Sequence, residues 1–333
     1  MHFAYPPRKS SNPPPFRPAR GSRIPLYRRR QLKTVALAGA GILFLLWLLF
    51  GRSGGGGSHT SGGRRHSSGL STPKTAYKGR SISGKPPVVL VTVFDDKQNT
   101  EYVQLLRENR LAYAEKHGYG TVFADVKDYD LDNAPASWAK IPAMRHAMTM
   151  YPDARYLWFL EQNALITNLD VAVDKDIMSP ANLEATMLRD QPIAPPDGII
   201  HTYANLRGED IELAITQDNE GLATGSFILK NGDYAEFLLD TMWNELYRHY
   251  RFQRAETHAL SHVVQWHQTV LARIAVLPQN TISSYSTAKN GKAYKDGDLV
   301  VLFKGCGGIG SGSCTSEAKM FKDKAESHAR SSS

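Results

Sequence analysis

Cysteine is nearly absent: Cys306 and Cys314 are the only two in 333 residues. That excludes a disulfide-dense scaffold and a four-cysteine zinc site. There is no Asn-x-Ser/Thr sequon, so N-glycosylation of the chain is not expected, and there is no internal repeat. Acidic residues are missing from two whole stretches. Residues 1–33 hold nine basic side chains and residues 51–85 hold seven, with no acid in either. The net charge of +8 belongs to these stretches, because residues 86–333 carry 24 basic against 32 acidic groups. A folded part of that sign repels phosphate backbones, which argues against a nucleic-acid binder.

Long apolar runs are also missing, with one exception. Thr34 to Gly51 reads TVALAGAGILFLLWLLFG, without a charge. At ~1.5 Å per residue it reaches about 27 Å, enough for a thin bilayer. Arg28, Arg29, Arg30 and Lys33 flank it on the N-terminal side, which predicts a cytoplasmic N-terminus and a type II orientation. The long N-terminal region and the lack of a small-residue cleavage site argue against a removed signal peptide. Residues 1–33, rich in Pro and Arg, are expected to be a disordered basic tail. Residues 52–85 read as a flexible stem, since 51–85 contain ten Gly and eight Ser. A lumenal domain follows over 86–325, then a short disordered tail over 326–333.

Within that domain, Pro86–Phe94 reads as a buried strand, Glu101–His117 as a helix stopped by Gly118, and Thr121–Val126 as a second strand. Together they predict a βαβ unit with a right-handed crossover. A helix over Trp138–Tyr151 precedes Arg155–Leu160, apolar after its first residue, which reads as a central strand. Thr224–Lys230 and Leu299–Phe303 read as further strands. Asp233–Arg248 reads as a helix with Phe237, Leu238, Met242 and Leu246 on one side, and His258–Arg273 as another. The fold class is α/β. Polar residues just after a central parallel strand, here Glu161-Gln162-Asn163, lie where such sheets bind ligands.

Several blocks carry a resemblance. They are Asn109-x-x-x-Tyr113-Ala114-x-x-His117-Gly118-Tyr119, Trp138-x-Lys140, and Tyr151-Pro152-x-Ala154-x-Tyr156-x-Trp158-Phe159-Leu160. Further on come Gln217-Asp218-Asn219-x-Gly221-Leu222-x-x-Gly225-Ser226-Phe227 and Phe303-x-Gly305-Cys306. In this order they resemble glycosyltransferase family 34, which holds fungal α-1,6-mannosyltransferases, fission-yeast α-1,2-galactosyltransferases and plant xyloglucan xylosyltransferases. The resemblance implies a GT-A (Rossmann-like) nucleotide-sugar transferase domain, a single-pass type II position in the Golgi membrane, and retention of anomeric configuration. It also implies a divalent metal, usually Mn2+. The wording YLWFLEQNALITN is most similar to the fungal mannosyltransferase branch. That implies GDP-mannose as donor, N-glycan outer chains of mannoproteins as acceptor, and a hetero-oligomer with related mannosyltransferases. A galactosyltransferase using UDP-galactose, and a non-catalytic subunit, remain the alternatives.

The resemblance assigns the site residue by residue. Where the family has Asp-x-Asp, this chain has Glu161 and Asn163 as metal ligands, the second with only a neutral amide oxygen. Donor contacts are expected from Asp95, Lys140, Glu161, Gln217, Gly225, Ser226 and Gly305. Asp218 is the candidate for sugar contact or nucleophile. Gln268 is the candidate for the Gln of a late helical motif, with His267 in place of an acid before it. Leu302 stands where members place a His. A disulfide between Cys306 and Cys314 is expected in an oxidising lumen. Double displacement and front-face substitution both remain open. His262 and His267, five apart, do not share a helix face and are not read as a metal pair.

Overall fold

A computed structural model describes residues 85–95, 98–194, 197–304 and 313–332. The apolar run 34–51, the basic tail and nearly all of the stem lie outside these residues, as do Asp96, Gly305 and Cys306. Among the described residues no helix is long and apolar enough to cross a membrane.

The domain is built on one mixed sheet. Its strands are β1 (Val88–Phe94), β2 (Gly120–Asp125), β3 (Tyr156–Leu160), β5 (Leu213–Asp218), β6 (Gly221–Lys230) and β7 (Ile274–Leu277), in the order β2-β1-β3-β6-β5-β7. β1 is parallel to both β2 and β3, whereas β6 runs antiparallel to β3 and β5. A small second sheet joins β4 (Ala164–Ile166), β9 (Val300–Leu302) and β8 (Ser284–Tyr285).

The helices are α1 (Thr100–His117), α2 (Lys140–Met150), α3 (Pro180–Thr186), α4 (Asp233–Met242) and α5 (Glu245–His249). They continue with α6 (Ala255–Trp266), α7 (Gln268–Leu271) and α8 (Cys314–Ser332). α1 starts where the Asn99 side chain accepts the Glu101 N–H and stops at Gly118. At φ +67° Gly118 takes the left-handed turn that a side chain disfavours.

The βαβ unit β1-α1-β2 forms as expected, with Val89 opposite Gly120 and Phe94 opposite Asp125. Strand alternation feeds two core layers. Val89, Val91, Leu157 and Phe159 face one layer, and Val88, Leu90, Tyr156 and Trp158 face the other. Burial on both faces explains the unbroken apolar runs.

Three expectations need correction, and one strand was not expected: Leu213–Asp218 pairs in a hairpin with β6. Its run LAITQD is short and half polar, so its periodicity is weak. The helix expected over Asp233–Arg248 is broken at Asn244, which caps α5, and Phe237 and Leu246 are exposed rather than in the core. The helix expected over 258–273 begins at Ala255 and breaks at His267. Finally, α8 runs to Ser332, past the expected end of the fold at 325. Good helix formers and a Lys322–Glu326 pair one turn apart carry it on.

Candidate active site

β1 and β3 are neighbouring parallel strands, and both end at the same edge. Asp95 follows the first and Glu161 the second. Between them opens a cleft of about 150 Å³ lined by Asp95, Ser137, Lys140, Phe159, Glu161 and Gln162, among others. A larger cavity of about 590 Å³ lies between α1 and α8, but it holds none of the candidate catalytic groups. The chemistry therefore points to the smaller cleft.

Lys140, in the first turn of α2, is only 3% exposed. Its Nζ lies 2.7 Å from Glu256 Oε1 and 3.7 Å from Glu161 Oε1, and donates to the Thr224 carbonyl at 3.2 Å. Burial alone would lower the lysine's pKa, but the two carboxylates outweigh it and hold it above the ordinary value. Burial likewise pushes the Glu256 carboxyl up. The charge and hydrogen bond of Lys140, with help from the Ser137 hydroxyl, bring it net below its ordinary range. The first turn of α6 thus brings a carboxylate, Glu256, to Lys140, whereas no acid stands beside Gln268.

Gly225 makes room for Glu161. A Cβ at 225 would stand 2.9 Å from Glu161 Oε2 and 2.5 Å from Leu302 Cδ2. The Glu161 N–H also donates to the Gly225 carbonyl at 2.8 Å.

The turn after β3 is held from below by a residue the sequence reading passed over. Arg110, in α1, is fully buried. Its Nη2 donates to the carbonyls of Glu161 (2.8 Å) and Ala164 (3.0 Å), its Nη1 to the Leu106 carbonyl (3.2 Å), and its Nε to the Thr92 hydroxyl (2.9 Å). Burial lowers its pKa to about 10, so it stays charged at neutral pH. The Gln162 side chain accepts the Asp95 N–H at 2.8 Å, and the Gln162 carbonyl accepts the Tyr102 hydroxyl. β1, α1 and the Glu161-Gln162-Asn163 turn are therefore one hydrogen-bonded unit.

Asn163 donates its Nδ2 to the Phe303 carbonyl at 3.1 Å. That bond fixes the amide orientation and leaves Oδ1 buried without a hydrogen-bond donor. An orphaned buried oxygen two residues after a carboxylate is the kind of ligand a hard cation takes. Glu161 and Asn163 are the residues of this turn that would hold such an ion. Among the described residues, Asp132, Glu245 and His249 also bring three ligand atoms within 4.8 Å of one another, but all three are exposed and none belongs to the cleft.

Asp218 ends β5 and is 5% exposed. Its Oδ2 accepts the Tyr285 hydroxyl at 2.6 Å and faces Lys304 at 3.8 Å and Arg254 at 4.0 Å. Its Oδ1 accepts the Glu220 N–H at 2.8 Å. Burial, and then the hydrogen bond to Asp218, push the Tyr285 phenol up. Arg254 pairs with Glu220 at 3.3 Å and lies two residues before Glu256.

Three assignments are not met by the geometry. Gln217 spends its amide on the 190s loop, accepting from the Ala194 N–H at 3.0 Å and donating to the Pro192 carbonyl at 3.0 Å. Ser226 is fully buried and accepts the Trp158 indole N–H at 3.0 Å, so it pins the core rather than a donor. Gln268 is an exposed residue in the short α7, outside the cleft. Gly305 lies outside the described residues. Cys314, which opens α8, is disulfide-bonded.

The fold and the cleft define an α/β domain with a carboxylate at the end of each of two adjacent parallel strands. The comparisons make this specific: the chain belongs to the galactosyl transferase GMA12/MNN10 family, whose model matches residues 84–312.

Among its relatives, a Schizosaccharomyces pombe protein named as an uncharacterized alpha-1,2-galactosyltransferase is 34% identical over 212 residues. The match covers 62% of this chain and 56% of the relative. A second S. pombe protein so named is 30% identical over 284 residues, covering 80% of this chain and 85% of the relative. The Saccharomyces cerevisiae "Probable alpha-1,6-mannosyltransferase MNN11" is 29% identical over 263 residues, covering 72% and 62%. The chain thus spans little more than half of the first of these. A solved glycosyltransferase involved in glycosylating the major capsid of PBCV-1 aligns with a TM-score of 0.47 at 11% identity, over 72% of this chain and all of that one.

Proposed function

We propose that the chain is a Golgi type II α-1,6-mannosyltransferase that retains anomeric configuration. It transfers mannose from GDP-mannose to N-glycan outer chains, working in a hetero-oligomer with related mannosyltransferases. The observation that carries the transferase reading is the Lys140–Glu161 pair at 3.7 Å, facing a cleft at the strand ends, with Gly225 bare beneath it.

Glu161 and Asn163 are the residues that would hold Mn2+. When bound, the ion supplies positive charge to the leaving diphosphate. Lys140 adds a fixed positive charge at the same edge and cannot swing away, because Glu256 and the Thr224 carbonyl hold it. Phe159 forms the cleft floor, with the Lys140 ammonium 5.1 Å above its ring. Asp218 has both oxygens engaged, which suits an anchor for Arg254 and Lys304 better than a free nucleophile. That favours front-face substitution over double displacement.

A second reading, transfer of galactose from UDP-galactose, is favoured by the names of the two S. pombe relatives. The test is binding of GDP-mannose and UDP-galactose by the detergent-solubilised full chain, with and without Mn2+. Metal-dependent binding selective for GDP-mannose, lost in Glu161→Ala, supports the first reading. Selectivity for UDP-galactose replaces it with the second. Binding of neither by folded protein removes catalysis from this chain and leaves a subunit role.

A further inference from the structure

α6 connects the candidate site to an exposed row of rings. Its first turn holds Glu256 against Lys140. Along its outer side, His262 and Trp266 follow at one-turn spacing. The ring series runs Tyr250, Phe252, His262, Trp266, with successive centroids 4.7, 6.2 and 5.9 Å apart. Tyr247 backs it, 5.7 Å from His262 and 6.3 Å from Phe252. Trp266 is 72% and Tyr250 67% exposed, an unusual position for large rings in a well-packed domain.

The size of this surface limits what covers it. Two large rings this exposed offer on the order of 300 Å² between them, well short of the ~800 Å² per partner of a stable protein interface. The surroundings are polar and of mixed sign. Arg251 is exposed beside Tyr250, and His249 pairs with Asp132 at 3.2 Å just upstream. Acidic groups there disfavour an anionic membrane surface. A line of separate rings with polar groups at its margin suits a pyranose chain. The C–H face of each sugar packs on the electron-rich ring face, and its hydroxyls meet the polar margin.

We propose that Tyr250, Phe252, His262 and Trp266 form an acceptor platform that binds an α-linked hexose oligosaccharide along α6, with its reacting end toward Glu256. This rests on the transferase reading and names the acceptor subsite for it.

The test uses the detergent-solubilised full chain and α-1,6-linked mannotetraose, with binding measured by calorimetry beside binding of GDP-mannose. The expected result is that Trp266→Ala and Tyr250→Ala each weaken tetraose binding about tenfold, while donor affinity stays unchanged. Trp266→Phe, which keeps a ring, recovers part of the loss. In turnover, KM for the tetraose rises with kcat constant, and KM for methyl α-mannoside, which reaches only the reacting end, does not move.

Equal tetraose binding by wild type and both alanine variants overturns the proposal. So does a change confined to sedimentation or to vesicle binding, which assigns the rings to a protein partner or a membrane. Donor binding without any tetraose binding overturns the platform and leaves the transferase reading standing. Tetraose binding without any donor binding overturns the transferase reading on which the platform rests.

Discussion

Arg110 is the strongest single test of how the site is held. Its guanidinium makes four hydrogen bonds from a fully buried position, two of them to carbonyls that bracket the Glu161-Gln162-Asn163 turn. No carboxylate is bonded to it; the fork is filled by backbone and by Thr92, which itself donates to the Leu160 carbonyl at 2.9 Å. Arg110→Met keeps most of the stem and removes the fork. Charge-assisted hydrogen bonds contribute about 1.5–3 kcal/mol each, but the variant is also relieved of burying a cation. That relief is worth several kcal/mol for a buried ion. Four bonds less this relief leave a net loss on the order of 3 kcal/mol, or roughly 6–12 °C in Tm for a domain of this size. Because the bonds converge on the Glu161-Gln162-Asn163 turn, metal-dependent donor affinity should fall by more than the unfolded fraction explains. Arg110→Lys, a point charge without the fork, should recover stability only in part. The assays are thermal unfolding and donor titration at a temperature where each variant is folded. A variant with wild-type Tm and wild-type donor affinity would refute the idea that Arg110 organises the turn.

Gly225→Ala should abolish metal-dependent donor binding at a stability cost of only about 1–3 kcal/mol, because the new methyl meets Glu161 and Leu302; donor titration beside urea unfolding separates the two effects. Ser226→Ala should do the reverse, costing about 1–3 kcal/mol by leaving the Trp158 indole unpaired while donor affinity holds. Glu256→Gln should destabilise by about 3–5 kcal/mol, since it strands a buried ammonium. The wild-type pair also sets a pH dependence. The folded pKa of Glu256 is depressed, so its contribution is complete above the ordinary carboxyl value of 4.5 and is lost as pH falls through the lower folded value. The folded pKa of Lys140 is raised, so its contribution is complete below 10.5 and is lost as pH rises through the higher folded value. Denaturant midpoints measured from pH 3 to 7 should therefore show an acid limb in wild type that is smaller in Glu256→Gln.

Local pattern made the parallel half of the fold legible. Val88–Phe94, Thr92 excepted, and Tyr156–Leu160 are apolar because both faces are covered, and Gly118 stops α1 where only a left-handed residue serves. Glu161 could be placed at a strand end for the same reason. The partners of Lys140 could not. Glu256 lies far along the chain from it; its spacing with Ala259, Leu260, Val263 and Val264 turns it inward but does not say toward what. Gln268 is the candidate for a motif Gln whose preceding acid is replaced by His267, yet the helix ends at Trp266 and leaves Gln268 at the surface. Gln217 and Ser226 looked like ligands because they are polar beside glycine. Inside a domain, a polar side chain is as often needed to satisfy a backbone or an indole as to meet a substrate. Arg110 did leave a signal. It stands in the buried stripe Tyr102, Leu106, Arg110, Tyr113 of α1, at a position where the helical period calls for an apolar residue. A charge on an apolar stripe must find partners, and Arg110 finds two of them in the carbonyls of the turn that carries Glu161. The residue that breaks the pattern is therefore the one that ties the helix to the chemistry.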